Sequence, residues 1–328
     1  MQYRKIGKET VSSVGLGCMG FSHAYGAPTQ KEEAERTIRA AYDMGYTFFD
    51  TAECYTGVLA NGAVSYNEEL VGNALRDVRD KVFIATKFGV THNADKTLSL
   101  DSSPERIRRS IEGSLKRLGV ERIDLYYQHR IDPTVSPETV ATVMADLIKE
   151  GKIKYWGISE ADEEYLRRAY AVCPVAAVQN RFSMMARHHE KLFPVLEELG
   201  IAFVAFSPMA NGFLTGRYDA RARFDDKEDY RGVMSQFTAE GMKKSAELIE
   251  LLNRLAAEKN ATPAQISLAW MLCKKPYIIP IPGSRKLDRL KENAKAAEFI
   301  LTAAEIIEID NRLNTMDFLV FGGSPVKK

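Results

Sequence analysis

Phe48-Phe49-Asp50-Thr51-Ala52-Glu53-Cys54-Tyr55 decides how this sequence is read. An apolar run stops abruptly at a carboxylate, and a tyrosine follows five residues later. A charge at the end of a buried strand is costly unless it is paired. Asp50 therefore marks either a strand giving way to a polar turn or a partner waiting elsewhere in the chain. The octapeptide alone does not separate the two, and the ends of the other apolar runs must.

Outward from this stretch, apolar runs of strand length alternate with amphipathic stretches of helix length. Strands are expected at residues 14–17, 47–49, 82–86, 123–127, 153–158, 176–178, 202–206 and 277–279. The helix between the first two opens on a capping box, Thr29-x-x-Glu32, and runs to Met44. Residues 67–75 form the next, and Ser103-Pro104-Glu105 and Ser136-Pro137-Glu138 open helices that close at Gly119 and Gly151. Further helices cover 162–170, 189–199, 239–259, 263–272, 287–296 and 303–313, with a polar segment at 209–230. A hairpin, residues 3–6 turning at Gly7-Lys8-Glu9 into 11–13, precedes them.

Strands joined by helices must run parallel. Eight such units with nearly continuous apolar strands predict a closed (β/α)8 TIM barrel with an N-terminal β-hairpin and two extra helices. A doubly wound sheet would need a phosphate turn after an early strand. Gly15-Leu16-Gly17-Cys18-Met19-Gly20 fits Gly-x-Gly-x-x-Gly, but a loop follows it where the motif requires a helix.

Composition narrows the function classes. The 328 residues are 45% hydrophobic and 27% charged with a net charge of +1, so nothing favours nucleic acid. That length suits a single barrel domain spanning residues 1–328. No apolar signal region and no 18-residue apolar run occurs, which predicts a cytoplasmic chain without membrane spans. Cys18, Cys54, Cys173 and Cys273 are scattered, as in a reduced interior. Five histidines offer no second ligand set at metal spacing, so no metal is expected. Asn260-Ala261-Thr262 reads as a helix start capped by Thr262 with Pro263 and Gln265, not as a glycosylation site.

In such a barrel the chemistry sits where the strands end. The second strand ends in Asp50 with Tyr55 beyond, the third in Lys87, and the fourth reaches His129. The fifth ends in Ser159-Glu160, the sixth in Gln179-Asn180, the seventh in Phe206-Ser207, and the eighth reaches Gly283-Ser284-Arg285-Lys286. Singly, Asp50 with Lys87 reads as a rim salt bridge and His129 as a core histidine. Jointly, an acid, a lysine, a histidine and a tyrosine on neighbouring strand ends point to a reactive rim.

These residues resemble the aldo-keto reductase superfamily. The resemblance covers essentially the whole chain. Its carriers are Asp50-Thr51-Ala52-Glu53-x-Tyr55, Asn67-Glu68-Glu69-Leu70-Val71-Gly72, Thr86-Lys87, Tyr127-Gln128-His129 and Gly157-Ile158-Ser159-Glu160. Gln179-Asn180, Phe206-Ser207-Pro208 and Ile279-Pro280-Ile281-Pro282-Gly283-Ser284 with Arg289 and Asn293 complete them. The resemblance implies reduction of a small carbonyl compound, an aldehyde or ketone, by hydride from a nicotinamide. Tyr55 would be the general acid. Lys87, paired with Asp50, would lower the pKa of a phenol otherwise near 10. His129 would orient the carbonyl oxygen.

Ser159 and Gln179 match positions that hold the nicotinamide carboxamide, Phe206 the stacking aromatic, and Ser207 with Pro208 the start of the pyrophosphate loop. Gly283, Ser284, Arg285, Lys286, Arg289 and Asn293 match the grip on a 2′-phosphate, so NADPH is expected as cofactor, with NADH as the alternative. His23, Tyr25, Phe213 and Phe318 are the candidate substrate contacts, drawn from loops that include 21–25, 211–230 and the tail 318–323. Two departures stand out: Glu160 occupies a position where many members carry asparagine, and residues 56–66 lengthen a usually short connection. That insert reads equally as a lining of the substrate mouth and as a plain hairpin on Asn61-Gly62. The main competing function is a regulatory nicotinamide-binding subunit on the same scaffold, similar to channel β-subunits. A barrel enzyme using Lys87 for a Schiff base would leave Asp50 and Tyr55 without a task. Oligomeric state leaves no mark in the sequence.

Overall fold

Alternation of side chains along the strands sorts the apolar residues into two cores. The computed structural model describes residues 1–93, 95, 97–219, 221–224 and 229–320. Its main sheet has eight strands: β1 (Leu16–Gly17), β2 (Phe48–Asp50), β3 (Phe83–Phe88), β4 (Ile123–Gln128), β5 (Ile153–Ser159), β6 (Ala177–Arg181), β7 (Ala202–Phe206) and β8 (Ile278–Pro280). Neighbours in sequence are neighbours in the sheet, and every pair is parallel. Gly15 N–H donates to the Pro280 carbonyl at 3.0 Å and joins the first strand to the last. There Gly17 and Gly283 pass so closely that a Cβ on either would lie 2.7 Å from a carbonyl oxygen.

Phe48, Phe83, Ala85, Leu125, Tyr127, Ala177, Val204 and Ile279 fill the barrel, and Ile6 and Val11 of the hairpin (Tyr3–Ile6 with Glu9–Ser12) join them at its lower end. Phe49, Ile84, Tyr126, Ile158, Val178 and Phe203 face outward into the larger core under the helices. Two-residue alternation then fixes the rim: 48 and 50, 83 to 87, 125 to 129, and 177 to 181 carry inward-facing chains to Asp50, Lys87, His129, Gln179 and Arg181.

The helices are α1 (Lys31–Asp43), α2 (Asn67–Leu75), α3 (Pro104–Leu118), α4 (Pro137–Lys149), α5 (Glu163–Val172), α6 (Phe193–Leu199), α7 (Ala239–Lys244), α8 (Ala246–Glu258), α9 (Pro263–Lys274), α10 (Leu287–Lys295) and α11 (Ala303–Thr315). Taking α7 and α8 as one broken helix, that helix and α11 are the two additions to the repeat. Ser103, Ser136 and Thr262 cap α3, α4 and α9 as their Ser-Pro and Thr-Pro pairs predict, and Gly119 ends α3 in the left-handed region. Among the described residues no helix is long and apolar enough to cross a membrane.

Several local expectations are corrected. The Thr29-Glu32 capping box does not form: Thr29 N–H donates to the Phe21 carbonyl at 2.8 Å, which holds Thr29 in the preceding loop, and Gln30 becomes the N-cap. The stretch 189–199 starts as a 3-10 turn, His188–Leu192, because Pro194 supplies no N–H and suits only the first turn of α6. Helix 239–259 breaks at Ser245. The insert does form the expected hairpin, Thr56–Val58 with Val64–Tyr66, with Gly62 at φ 82°. A second hairpin, Val90–His92 with Leu98–Leu100, adds to the expected elements.

Candidate active site

Lys87 has no exposed surface, and three oxygens surround its ammonium. Nζ donates to Asp50 Oδ1 at 2.6 Å, to the Thr51 carbonyl at 2.7 Å and to Tyr55 Oη at 3.3 Å. From β6, Gln179 Nε2 donates to Asp50 Oδ2 at 2.7 Å, so both carboxylate oxygens are satisfied, as burial demands.

Tyr55 is set in place by its backbone. Its N–H closes a turn on the Ala52 carbonyl at 3.2 Å, and its carbonyl accepts from Ser22 Oγ at 2.9 Å and Asn67 N at 3.0 Å. The buried Asn67 side chain donates to the Cys18 carbonyl and to Ser22 Oγ and accepts from Thr51 Oγ1 at 2.7 Å. Next to it, buried Glu68 accepts from Thr86 Oγ1 and Arg117 Nε, both at 2.6 Å. The Asn67-Glu68 pair is thus a brace behind the tyrosine.

Burial pushes the Tyr55 phenol up to about 12; Lys87 pulls it down and Asp50 pushes it up again. Lys87 acts in the expected direction on the phenol, but desolvation of the ring outweighs it and Asp50 opposes it. For Lys87, burial acts downward, but Asp50 and Tyr55 outweigh it and hold the ammonium charged. Burial raises Asp50 against the pull of Lys87. His129 is held well below the usual imidazole value by burial first, then by Arg130 and Lys87. At neutral pH the group is a phenol, an ammonium, a paired carboxylate and a neutral imidazole.

Two rings, His23 and His129, pack on Tyr55, and two more, Tyr230 and His92, pack on His23. His23 lies parallel to it at 6.1 Å between ring centroids, His129 edge-on at 5.6 Å, and Tyr230 edge-on to His23 at 5.9 Å. His92, from the second hairpin, packs 4.6 Å from His23. His23 Nδ1 sits 3.0 Å from the Thr56 carbonyl, and Cys54 Sγ lies 3.5 Å from His129 Nδ1. Tyr25 stands farther along the same loop, its hydroxyl accepting from Asn211 Nδ2 at 2.8 Å. Phe213 and Phe318 are not brought to this group: Phe213 is buried in the outer core against Phe237, and Phe318 packs on that core. Residues 225–228 of the long loop and 321–323 of the tail lie outside the described residues.

The other side of the rim carries the remaining candidates. Ser159 and Gln179 are register partners at the ends of β5 and β6, and Ser159 Oγ accepts from Arg130 Nη1 at 3.1 Å. The Phe206 ring is flanked by the guanidiniums of Arg181 at 5.0 Å and Arg130 at 5.7 Å. Beyond it the backbone is strained, with Ser207, Ala210 and Asn211 at φ 50°, 46° and 60° around buried Pro208. Glu160, at φ 61°, turns its carboxylate onto Arg181 N at 2.9 Å. Burial would raise that carboxyl, but His189 and the Arg181 amide outweigh it and hold it at about 2.

At β8, Ser284 Oγ accepts from Lys286 N at 3.1 Å, and no side chain caps the first turn of α10. Arg289 Nε and Asn293 Nδ2 are buried without a hydrogen-bond partner among the described residues. Arg285, of the expected set, donates Nε and Nη1 to the carbonyls of Gly20 and Ala27 across the loop after β1. Open helix N–H groups, two orphaned donors and the closely packed glycines Gly17 and Gly283 fit an anionic nucleotide.

Sequence reasoning missed Arg130, Arg181, Cys54, His92 and Tyr230. Arg181 was within reach, because residues 177, 179 and 181 share one face of β6. The contacts of Cys54 and Tyr230 are tertiary, and His92 sits on a three-residue strand, Val90-Thr91-His92, that does not alternate.

The aldo/keto reductase family model matches residues 13–314. A probable aldo-keto reductase 1 from Glycine max is 39% identical over 91% of this chain and 84% of its own length. The Schizosaccharomyces pombe aldo-keto reductase yakc [NADP(+)] is 36% identical over 93% of this chain and 89% of its own. The glycerol dehydrogenase AKR11B4 of Gluconobacter oxydans superposes with a TM-score of 0.85 at 27% identity, over 99% of this chain and 97% of that one. With the barrel, the buried lysine between an acid and a tyrosine, and a match over nearly its full length, this chain belongs to the aldo/keto reductase family.

Proposed function

We propose that this protein reduces an aldehyde or ketone to an alcohol with NADPH, using Tyr55 as the proton donor. The observation that carries the reading is Lys87 Nζ, fully buried and hydrogen-bonded to both Asp50 and Tyr55. When bound, the nicotinamide supplies the hydride. Tyr55 Oη gives its proton to the developing alkoxide, and Lys87 stabilises the phenolate left behind. Neutral His129 donates from Nε2 to the carbonyl oxygen and orients it. Cys54 S–H, facing Nδ1, supports that tautomer. Ser159 and Gln179 hold the carboxamide, Phe206 backs the ring, and Ser207-Pro208 opens the pyrophosphate loop. Gly283, Ser284, Arg285, Lys286, Arg289 and Asn293 border the 2′-phosphate end, and the name of the Schizosaccharomyces pombe relative, which carries NADP(+), supports the choice of cofactor. His23 and Tyr25 border the substrate.

The test is NADPH oxidation with 4-nitrobenzaldehyde, with cofactor binding followed by fluorescence. Tyr55→Phe should lower kcat by about 10²–10⁴-fold, the worth of a general acid, with binding retained. Unchanged turnover would overturn the assignment.

A further inference from the structure

One stripe of α3 differs from the usual buried face of a barrel helix. Positions 106, 109, 110, 113 and 117 follow three-and-four helical spacing, yet they carry Arg106, Arg109, Ser110, Gly113 and Arg117. The stripe walls a cleft of about 490 Å³, and the opposite wall is Glu53-Cys54, Thr56 and Val90–His92.

The polar groups of this wall exceed what the protein itself uses. Ser110 is 4% exposed, and its hydroxyl has no hydrogen-bond partner. Arg106 gives Nη2 to Glu53 Oε1 at 2.9 Å, while its Nε is buried with none. Arg109 is exposed and makes no hydrogen bond or ion pair among the described residues. Arg117 is tied to Glu68, and its guanidinium lies over Gly113, where a Cβ would come within 2.9 Å of Nη1. A glycine inside a helix costs stability relative to alanine; here it makes room for the Arg117 guanidinium on the floor of the cleft. Buried donors without acceptors are also costly, and an acceptor carrying negative charge would complete this set.

We propose that the cleft binds the phosphate or carboxylate group of a small molecule through Arg109, Arg106 Nε and Ser110 Oγ. Its far wall adjoins the reactive group, since Cys54 contacts His129 and His92 packs on His23. The anion is either a tail of the carbonyl substrate, an assignment that rests on the reductase reading, or a separate ion.

Three measurements on the full chain and the variants Arg109→Glu and Ser110→Ala decide this. Turnover of neutral 4-nitrobenzaldehyde with NADPH should be the same in all three proteins. If the anion is a substrate tail, kcat/KM for 4-carboxybenzaldehyde falls about tenfold in both variants, one charge-assisted hydrogen bond's worth. If it is a separate ion, the variants turn over 4-carboxybenzaldehyde like the parent, and inorganic phosphate titrated calorimetrically into cofactor-free protein binds about tenfold more weakly to both. Variants matching the parent in both the carboxylate and the phosphate measurements overturn the proposal. If no aldehyde is turned over, the reductase reading fails, and phosphate binding alone decides the cleft: weaker in the variants upholds it, equal or absent in all three overturns it.

Discussion

Lys87 is the residue on which the rim depends, because its ammonium exchanges water for Asp50, the Thr51 carbonyl and Tyr55. Lys87→Met should reduce kcat/KM by about 10²–10⁴-fold and, by leaving Asp50 charged and unpaired, destabilise the protein by about 3–5 kcal/mol. Adding Asp50→Asn should restore much of the melting temperature and none of the rate, which separates the two roles. With the phenol pushed up to about 12 and the imidazole held well below its usual value, kcat/KM should stay flat from neutral into alkaline pH. The alkaline fall begins only as Tyr55 loses its proton; a fall centred near neutrality in the pH profile would contradict this. Glu160 works in the other direction. Its folded-state value lies below the ordinary one, so its stabilisation is complete above the usual glutamate range and disappears as pH drops toward about 2. Glu160→Gln should therefore flatten acid unfolding over that window.

At the scale of elements, the barrel was legible because its signals are local. Ser-Pro-Glu starts, glycine stops and apolar runs mark helices and strands without knowledge of the fold. Thr262→Ala, which removes a capping box on α9, should cost about 1 kcal/mol in denaturant unfolding. Gly157 shows what local signals omit. A Cβ there would meet the Tyr127 ring at 2.4 Å and the Ala177 carbonyl oxygen at 2.5 Å, so Gly157→Ala should destabilise by about 1–3 kcal/mol or more. The sequence marks Gly157 only as one letter of a motif, and the reason comes from two neighbouring strands. Thr29 failed as a cap for the same reason, its amide being claimed by the Phe21 carbonyl. The hairpin after β3 carries mostly polar residues, and its only alternation, Leu98-Ser99-Leu100, is three residues long. In the site, the identities of Asp50, Tyr55, Lys87 and His129 were legible; how completely the phenol is desolvated was not, and that sets the direction of its shift.

At the scale of the whole molecule, the eight-stranded ring is uneven. Between β1 and β8 a single backbone hydrogen bond among the described residues, Gly15 to Pro280, takes the place of a ladder. A ring opens first at its thinnest join, and amide hydrogen exchange reads such openings directly. Arg285 reaches from just beyond β8 to the Gly20 and Ala27 carbonyls beyond β1, so it fastens the two edges like a clasp. Replacing it with alanine should speed deuterium uptake at Gly15 while leaving the β4–β5 amides protected. The same side chain that the sequence places among the phosphate contacts would then also keep the cylinder from unrolling along its tear line.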